Sequence, residues 1–120
     1  MVVNPQDFLT HAKKLVANNS ANELDCRSAV SRAYYSLFHE ASNFLEARGR
    51  YRRVIRGAHE KVKNVLFDID PIVGMEFDTH KDSRHDADYN LRASVFTLQN
   101  SCIVVNEIET FISAVKNLDI

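Results

Sequence analysis

Glycine and proline are scarce, three and two among 120 residues. That leaves too few turn formers for a sandwich or barrel of many short strands. No apolar run approaches the ~18–20 residues needed to span a bilayer, and MVVNPQDF lacks the basic start and apolar stretch of a secretory signal. The expectation is a cytoplasmic protein with no membrane partner. Cysteine is limited to Cys26 and Cys102, far apart and without metal-ligand spacing, so a reducing compartment keeps both as small hydrophobes. A chain with so few glycines holds no G-x-x-x-x-G-K-S/T, G-x-G-x-x-G or G-x-S-x-G, which excludes phosphate-loop and hydrolase-elbow mechanisms. What remains, 45% hydrophobic and 26% charged residues rich in Ala, Leu, Glu, Lys and Arg, fits one all-α domain over residues 1–120.

The formal net charge of −1 hides an asymmetry. Residues 48–63 carry Arg48, Arg50, Arg52, Arg53, Arg56, Lys61 and Lys63 against Glu60, a local balance of +6 that leaves −7 on the rest. Planar guanidinium groups grip phosphate in a bidentate way, so Arg52, Arg53 and Arg56 are candidate phosphate or RNA contacts. A solvated helix start accounts for the same run.

Apolar spacing predicts helices over 5–18, 20–48, 51–68 and 91–117, with a short helix ending near Arg84 and a turn over 86–90. Asn4-Pro5 starts the first, Ser20 and Glu23 form a capping-box pattern for the second, and Gly49 ends it. Val54 and Ile55 join Ala58, Val62, Val65 and Leu66 in the third helix; Pro71 helps mark the break after it, and Val95 opens the buried edge of the last. On the second helix, Ser28, Arg32, Tyr35 and His39 share the face opposite Val30 and Leu37 at 100° per residue. Arg32, Tyr35 and His39 there suit a subunit contact or a phosphate pocket, or equally a polar seam inside the bundle.

Arg27-Ser28-Ala29-Val30-Ser31-Arg32-Ala33-Tyr34-Tyr35-Ser36-Leu37-Phe38-His39-Glu40-Ala41 resembles the second-helix signature of prokaryotic HEPN domains. Arg84-His85-Asp86-Ala87-Asp88-Tyr89 is similar to the R-x-x-A-D-Y element of their small single-domain branch. His59, Val62 and Leu66 fall where that branch tends to show a histidine and apolar residues. The resemblance spans nearly the whole chain and implies a four- or five-helix up-and-down bundle, usually a homodimer. It also implies a metal-independent endoribonuclease without cofactor, the toxin or effector half of a two-gene toxin–antitoxin or phage-defence module.

In that chemistry a base deprotonates a ribose 2′-hydroxyl, the oxygen attacks the adjacent phosphorus, and a fixed cation stabilises the phosphoryl charge, leaving a 2′,3′-cyclic phosphate. Arg84 matches the family's arginine and His85 the polar residue after it, while Tyr89 stands where the family places its histidine. A tyrosine pKa near 10 would have to fall by about 3, roughly 4 kcal/mol, for Tyr89 to act as the base at pH 7. His85 or His80 supplies an imidazole if a loop folds back. The family also implies a nucleotidyltransferase-like antitoxin that modifies a tyrosine near the motif, and Tyr89 is the acceptor in this chain. Arg53 and His59 satisfy the arginine-to-histidine spacing as well, although His59 also reads as a packed structural side chain. A salt bridge from Arg84 to Asp86 or Asp88, pinning the turn before the last helix, explains the second motif without a ligand. His80, Asp82, His85, Asp86 and Asp88 have no compact metal-ligand spacing, so no metal is expected. The alternatives are a non-catalytic RNA- or nucleotide-binding module and a dimerisation subunit of a larger enzyme.

Overall fold

The computed structural model describes residues 3–120, and among these it contains five α-helices and no strand. Here α1 is Pro5–Ala17, α2 Glu23–Ala47, α3 Ala58–Ile69, α4 Pro71–Tyr89 and α5 Leu98–Lys116. The all-α reading holds, and the helices form a bundle around α2, which packs on each of the other four. Its stripe of Val30, Ala33, Tyr34, Leu37, Ala41 and Leu45 is almost wholly removed from solvent. Leu9 and Ala12 of α1, Val62 and Leu66 of α3, Phe77 of α4, and Val105 and Ile108 of α5 join the same core. Each fully buried Leu- or Val-sized side chain contributes roughly 1.5–3 kcal/mol, so this core carries the fold. A smaller cluster of Cys26, Val30, Ala87 and Phe96 closes one end.

Helix ends follow local chemistry. The Asn4 backbone N–H donates to Asp7 Oδ2 at 2.9 Å, and Pro5 opens α1 without losing a helical hydrogen bond. The box of α2 lies two residues beyond the expected Ser20: Asn22 Oδ1 accepts from the Asp25 N–H at 2.8 Å, and Asp25 Oδ2 accepts from the Asn22 N–H at 3.1 Å. Gly49 has φ 68°; its N–H reaches Glu46 O at 3.0 Å while the Arg50 N–H reaches Leu45 O at 2.9 Å, the paired bonds of a left-handed helix stop.

Three expected boundaries are corrected. Residues 51–57 are not helical: Tyr51 is buried, Ile55 is fully exposed, and Gly57 at φ 69° starts α3 seven residues later than predicted. Residues 71–89 form one continuous helix instead of a short helix and a turn, because Asp70 caps it through a 3.0 Å bond from the Ile72 N–H and Pro71 begins it. The last helix starts at Leu98 under a Thr97 cap, leaving 90–97 as a connection in which Val95 is exposed.

Two contacts fix α4. A Cβ at Gly74 would stand 2.4 Å from Phe67 Cα, so the α3 and α4 backbones approach more closely than any side chain permits. At the other end the buried Arg27 guanidinium donates to the carbonyls of Asp86, Ala87, Asn90 and Ala93 at 3.2, 3.1, 3.0 and 3.1 Å. It also lies 4.6 Å from the Phe96 ring centre, so one side chain of α2 satisfies the last carbonyls of α4 and the loop beyond.

Candidate functional site

The continuity of α4 spreads the second motif around a helix, with Arg84 and His85 on one cleft and Tyr89 outside it. At 100° per residue, Arg84 and Asp88 share one face, while His85 and Tyr89 lie about 100–140° around the helix. Arg84 turns inward: its guanidinium carbon is 5.6 Å from the Tyr34 ring centre and 5.7 Å from that of Tyr35, within cation–π range. Nη1 of Arg84 donates to Asp88 Oδ2 at 3.3 Å, and the same oxygen accepts from Ser31 Oγ at 3.3 Å. The Arg84–Asp88 pair is therefore a link along α4 and not the pin of a turn. The buried Nε of Arg84 has no partner among the described residues.

α3 delivers His59 to the same place from its first turn. The imidazole is stacked on Phe38 at 3.9 Å between ring centres and bonded through Nδ1 to the Tyr34 hydroxyl at 2.7 Å. Burial, then the charge of Arg84, His39 and Lys81, pushes His59 down to about 4, so it is neutral at pH 7. Burial likewise raises the Tyr34 hydroxyl, which keeps its proton. With that hydroxyl buried, the arrangement that uses every proton has O–H donating to Nδ1, which places the imidazole proton on Nε2.

A cleft of about 290 Å³ opens beside these groups, lined by Gly57, Ala58, His59, Glu60, Lys81, Asp82, Arg84 and His85. No side chain caps the start of α3 at its edge. Lys81 is held by Glu60 at 3.4 Å and Asp78 at 3.6 Å. Lys81 and Arg84 balance Glu60 and Asp82 in formal charge, so an anion would be held there by directed donors and not by net field.

The other sequence-predicted residues distribute as follows. Tyr89 is 66% exposed, its ring 4.9 Å from that of His85, which is also exposed. Tyr35 and His39 are half-buried against Phe8 of α1, at 6.1 and 5.8 Å between ring centres, whereas Arg32 is exposed. Arg52 and Arg56 point to solvent. Arg53 turns back to α2, where Nη2 donates to Asn43 Oδ1 at 2.9 Å and Nε pairs with Glu46 at 3.5 Å, so it does not face His59. The segment that would have to fold back for His80 to supply an imidazole is helix: His80 is 4% exposed and lies 5.5 Å from Phe111 within the bundle.

Sequence spacing missed the Arg84–His59 juxtaposition because it paired His59 with the arginines just before it. The signal lay in Tyr34, a buried hydroxyl that needs a partner from another helix. No model of a known protein family, no curated protein and no solved structure matches the chain. Among the described residues no helix is long and apolar enough to cross a membrane.

Proposed function

We propose that this chain is a HEPN-like RNA- or nucleotide-handling protein in which Arg84 grips phosphate, acting as the metal-independent endoribonuclease of a two-gene toxin–antitoxin or phage-defence module. The observation that carries the reading is the placement of Arg84. Its guanidinium is oriented by Tyr34, Tyr35 and Asp88 and shares a cleft with the neutral imidazole of His59. A pre-oriented cation stabilises developing phosphoryl charge without reorganisation, and transfer to a neighbouring 2′-hydroxyl needs no activated water. A homodimer and a cytoplasmic location belong to the same proposal.

A second reading is favoured by the outer flank. Tyr89 projects into solvent beside His85, an accessible hydroxyl that a nucleotidyltransferase-like partner can reach and modify. On this reading the chain binds RNA or nucleotide without cleaving it.

The test compares wild type, Arg84→Ala, His59→Ala, His85→Ala and Tyr89→Phe on structured RNA with chelator present, scoring 2′,3′-cyclic phosphate ends. Arg84→Ala is expected to lose ~10²–10³-fold in cleavage. Binding without cleavage by wild type selects the second reading. Cleavage by Arg84→Ala at the wild-type rate overturns the assignment of Arg84.

A further inference from the structure

On the flank of α4 away from Arg84, a second cleft of about 320 Å³ lies between the end of α4 and the start of α5. Its walls are apolar: Val30, Val95, Phe96, Ile103 and Val104. Val95 and Ile103 are 56% and 48% exposed, so the apolar wall reaches the surface. Such a volume suits a small molecule with an apolar body of one ring or a short chain.

The polar groups of this cleft accept more than they donate. Asp86 lies on its lining, and its carboxylate has no ion pair or hydrogen bond among the described residues. The Asn100 amide donates to Val95 O at 3.2 Å, which leaves its side-chain oxygen as an acceptor. The Ser101 side chain, 1% exposed, has an Oγ with no hydrogen-bond partner among the described residues. It lies by the Cys26 thiol and is closed off from the cleft, so the accessible acceptors are Asp86 and the Asn100 side-chain oxygen. Among the described residues no lysine or arginine lines the cleft, and the Arg27 guanidinium beside Phe96 is bonded to backbone carbonyls.

We infer that this cleft is a binding site for a small amphipathic amine, its apolar body against Phe96, Val104 and Ile103 and its ammonium toward Asp86 and the Asn100 side-chain oxygen. The charge selects among apolar molecules of equal size: an ammonium gains an unpaired carboxylate, an alcohol gains only a weaker hydrogen bond, and a carboxylate is repelled. The site is independent of the phosphate reading, because Ser83 and Asp86 face it while Arg84 and His85 face the other cleft.

The experiment uses the full chain, labelled for amide NMR, titrated with 2-phenylethylamine, 2-phenylethanol and 3-phenylpropionate. Saturable shifts confined to residues around Ser83, Asp86, Asn100 and Ser101, with the amine bound at least tenfold more tightly than the carboxylate, support the inference. Asp86→Asn, an exposed position that leaves the core intact, is expected to erase that preference while retaining weak binding of the alcohol. Val104→Trp, which fills the cleft, is expected to abolish all three. Equal affinity for amine and carboxylate overturns the proposal, as do amine shifts scattered over other acidic surfaces or an Asp86→Asn variant that still prefers the amine. None of these measurements reads RNA cleavage, so failure here leaves the Arg84 proposal untouched.

Discussion

The Tyr34 hydroxyl and His59 Nδ1, brought together from α2 and α3, lie 2.7 Å apart beneath the Arg84 cleft. The bond gives a buried hydroxyl its partner and holds the imidazole flat against Phe38. It also couples folding to pH. His59 titrates near 4 in the folded chain against about 6.5 in an unfolded one, so between these values the unfolded state binds more protons. The stabilisation is fully present above about pH 6.5 and declines as pH falls toward 4. Thermal unfolding across this window is expected to show a falling melting temperature in wild type and a shallower fall in His59→Phe. Some slope is retained, because burial lowers His39 and His80 as well. An unchanged slope in His59→Phe shows that His59 is not the linked group.

Arg27 is expected to be among the most sensitive positions in the chain. Replacing it with Met leaves the carbonyls at the end of α4 without a donor, a loss of about 3 kcal/mol. Arg27→Lys recovers only part, since a single ammonium cannot span carbonyls reached by two guanidinium nitrogens. Urea unfolding measures the loss, and hydrogen exchange at residues 87–93 is expected to accelerate before the rest of the fold does.

Gly74→Ala separates helix propensity from packing. An isolated helix gains up to ~1 kcal/mol from this change. Here the added methyl meets Phe67 Cα at 2.4 Å, and separating α3 from α4 is expected to cost about 1–3 kcal/mol net. A raised melting temperature in Gly74→Ala contradicts the close approach.

If RNA crosses the 51–57 connection, its arginines act through salt-dependent attraction. Arg52→Ala and Arg56→Ala are each expected to lower the slope of log affinity against log salt by about 0.7 for single-stranded RNA. Arg53→Ala is expected to lower it less, because Arg53 is already shared between Asn43 and Glu46. Equal effects at all three positions argue that Arg53 releases those partners on binding.

The sequence made α1 and α2 legible because their stripes are apolar and their ends carry Asn-Pro and a left-handed glycine. α4 was not, since its buried positions include Gly74 and His80 beside Phe77 and Ala87, and neither a glycine nor a histidine reads as core. Val54 and Ile55 extended the apparent third helix into a segment that Gly57 separates from it. Of the candidate site, Arg84 stood out as part of a motif, but its neighbours did not. The separation of Arg84 from Tyr89 follows only once the segment is helical, and the Tyr34–His59 pairing bridges two helices.

The Arg27 contact also orders events in time. Its four acceptors lie 59, 60, 63 and 66 residues further along the chain. During synthesis α1 and α2 emerge and can pair through local contacts, while this guanidinium stays hydrated until the end of α4 and the following loop have left the ribosome. Burial of Arg27 therefore waits for residues 86–93, a latch that closes when the end of α4 and its loop are in hand. A chain truncated before residue 86 leaves the Arg27 guanidinium near the start of α2 without these acceptors.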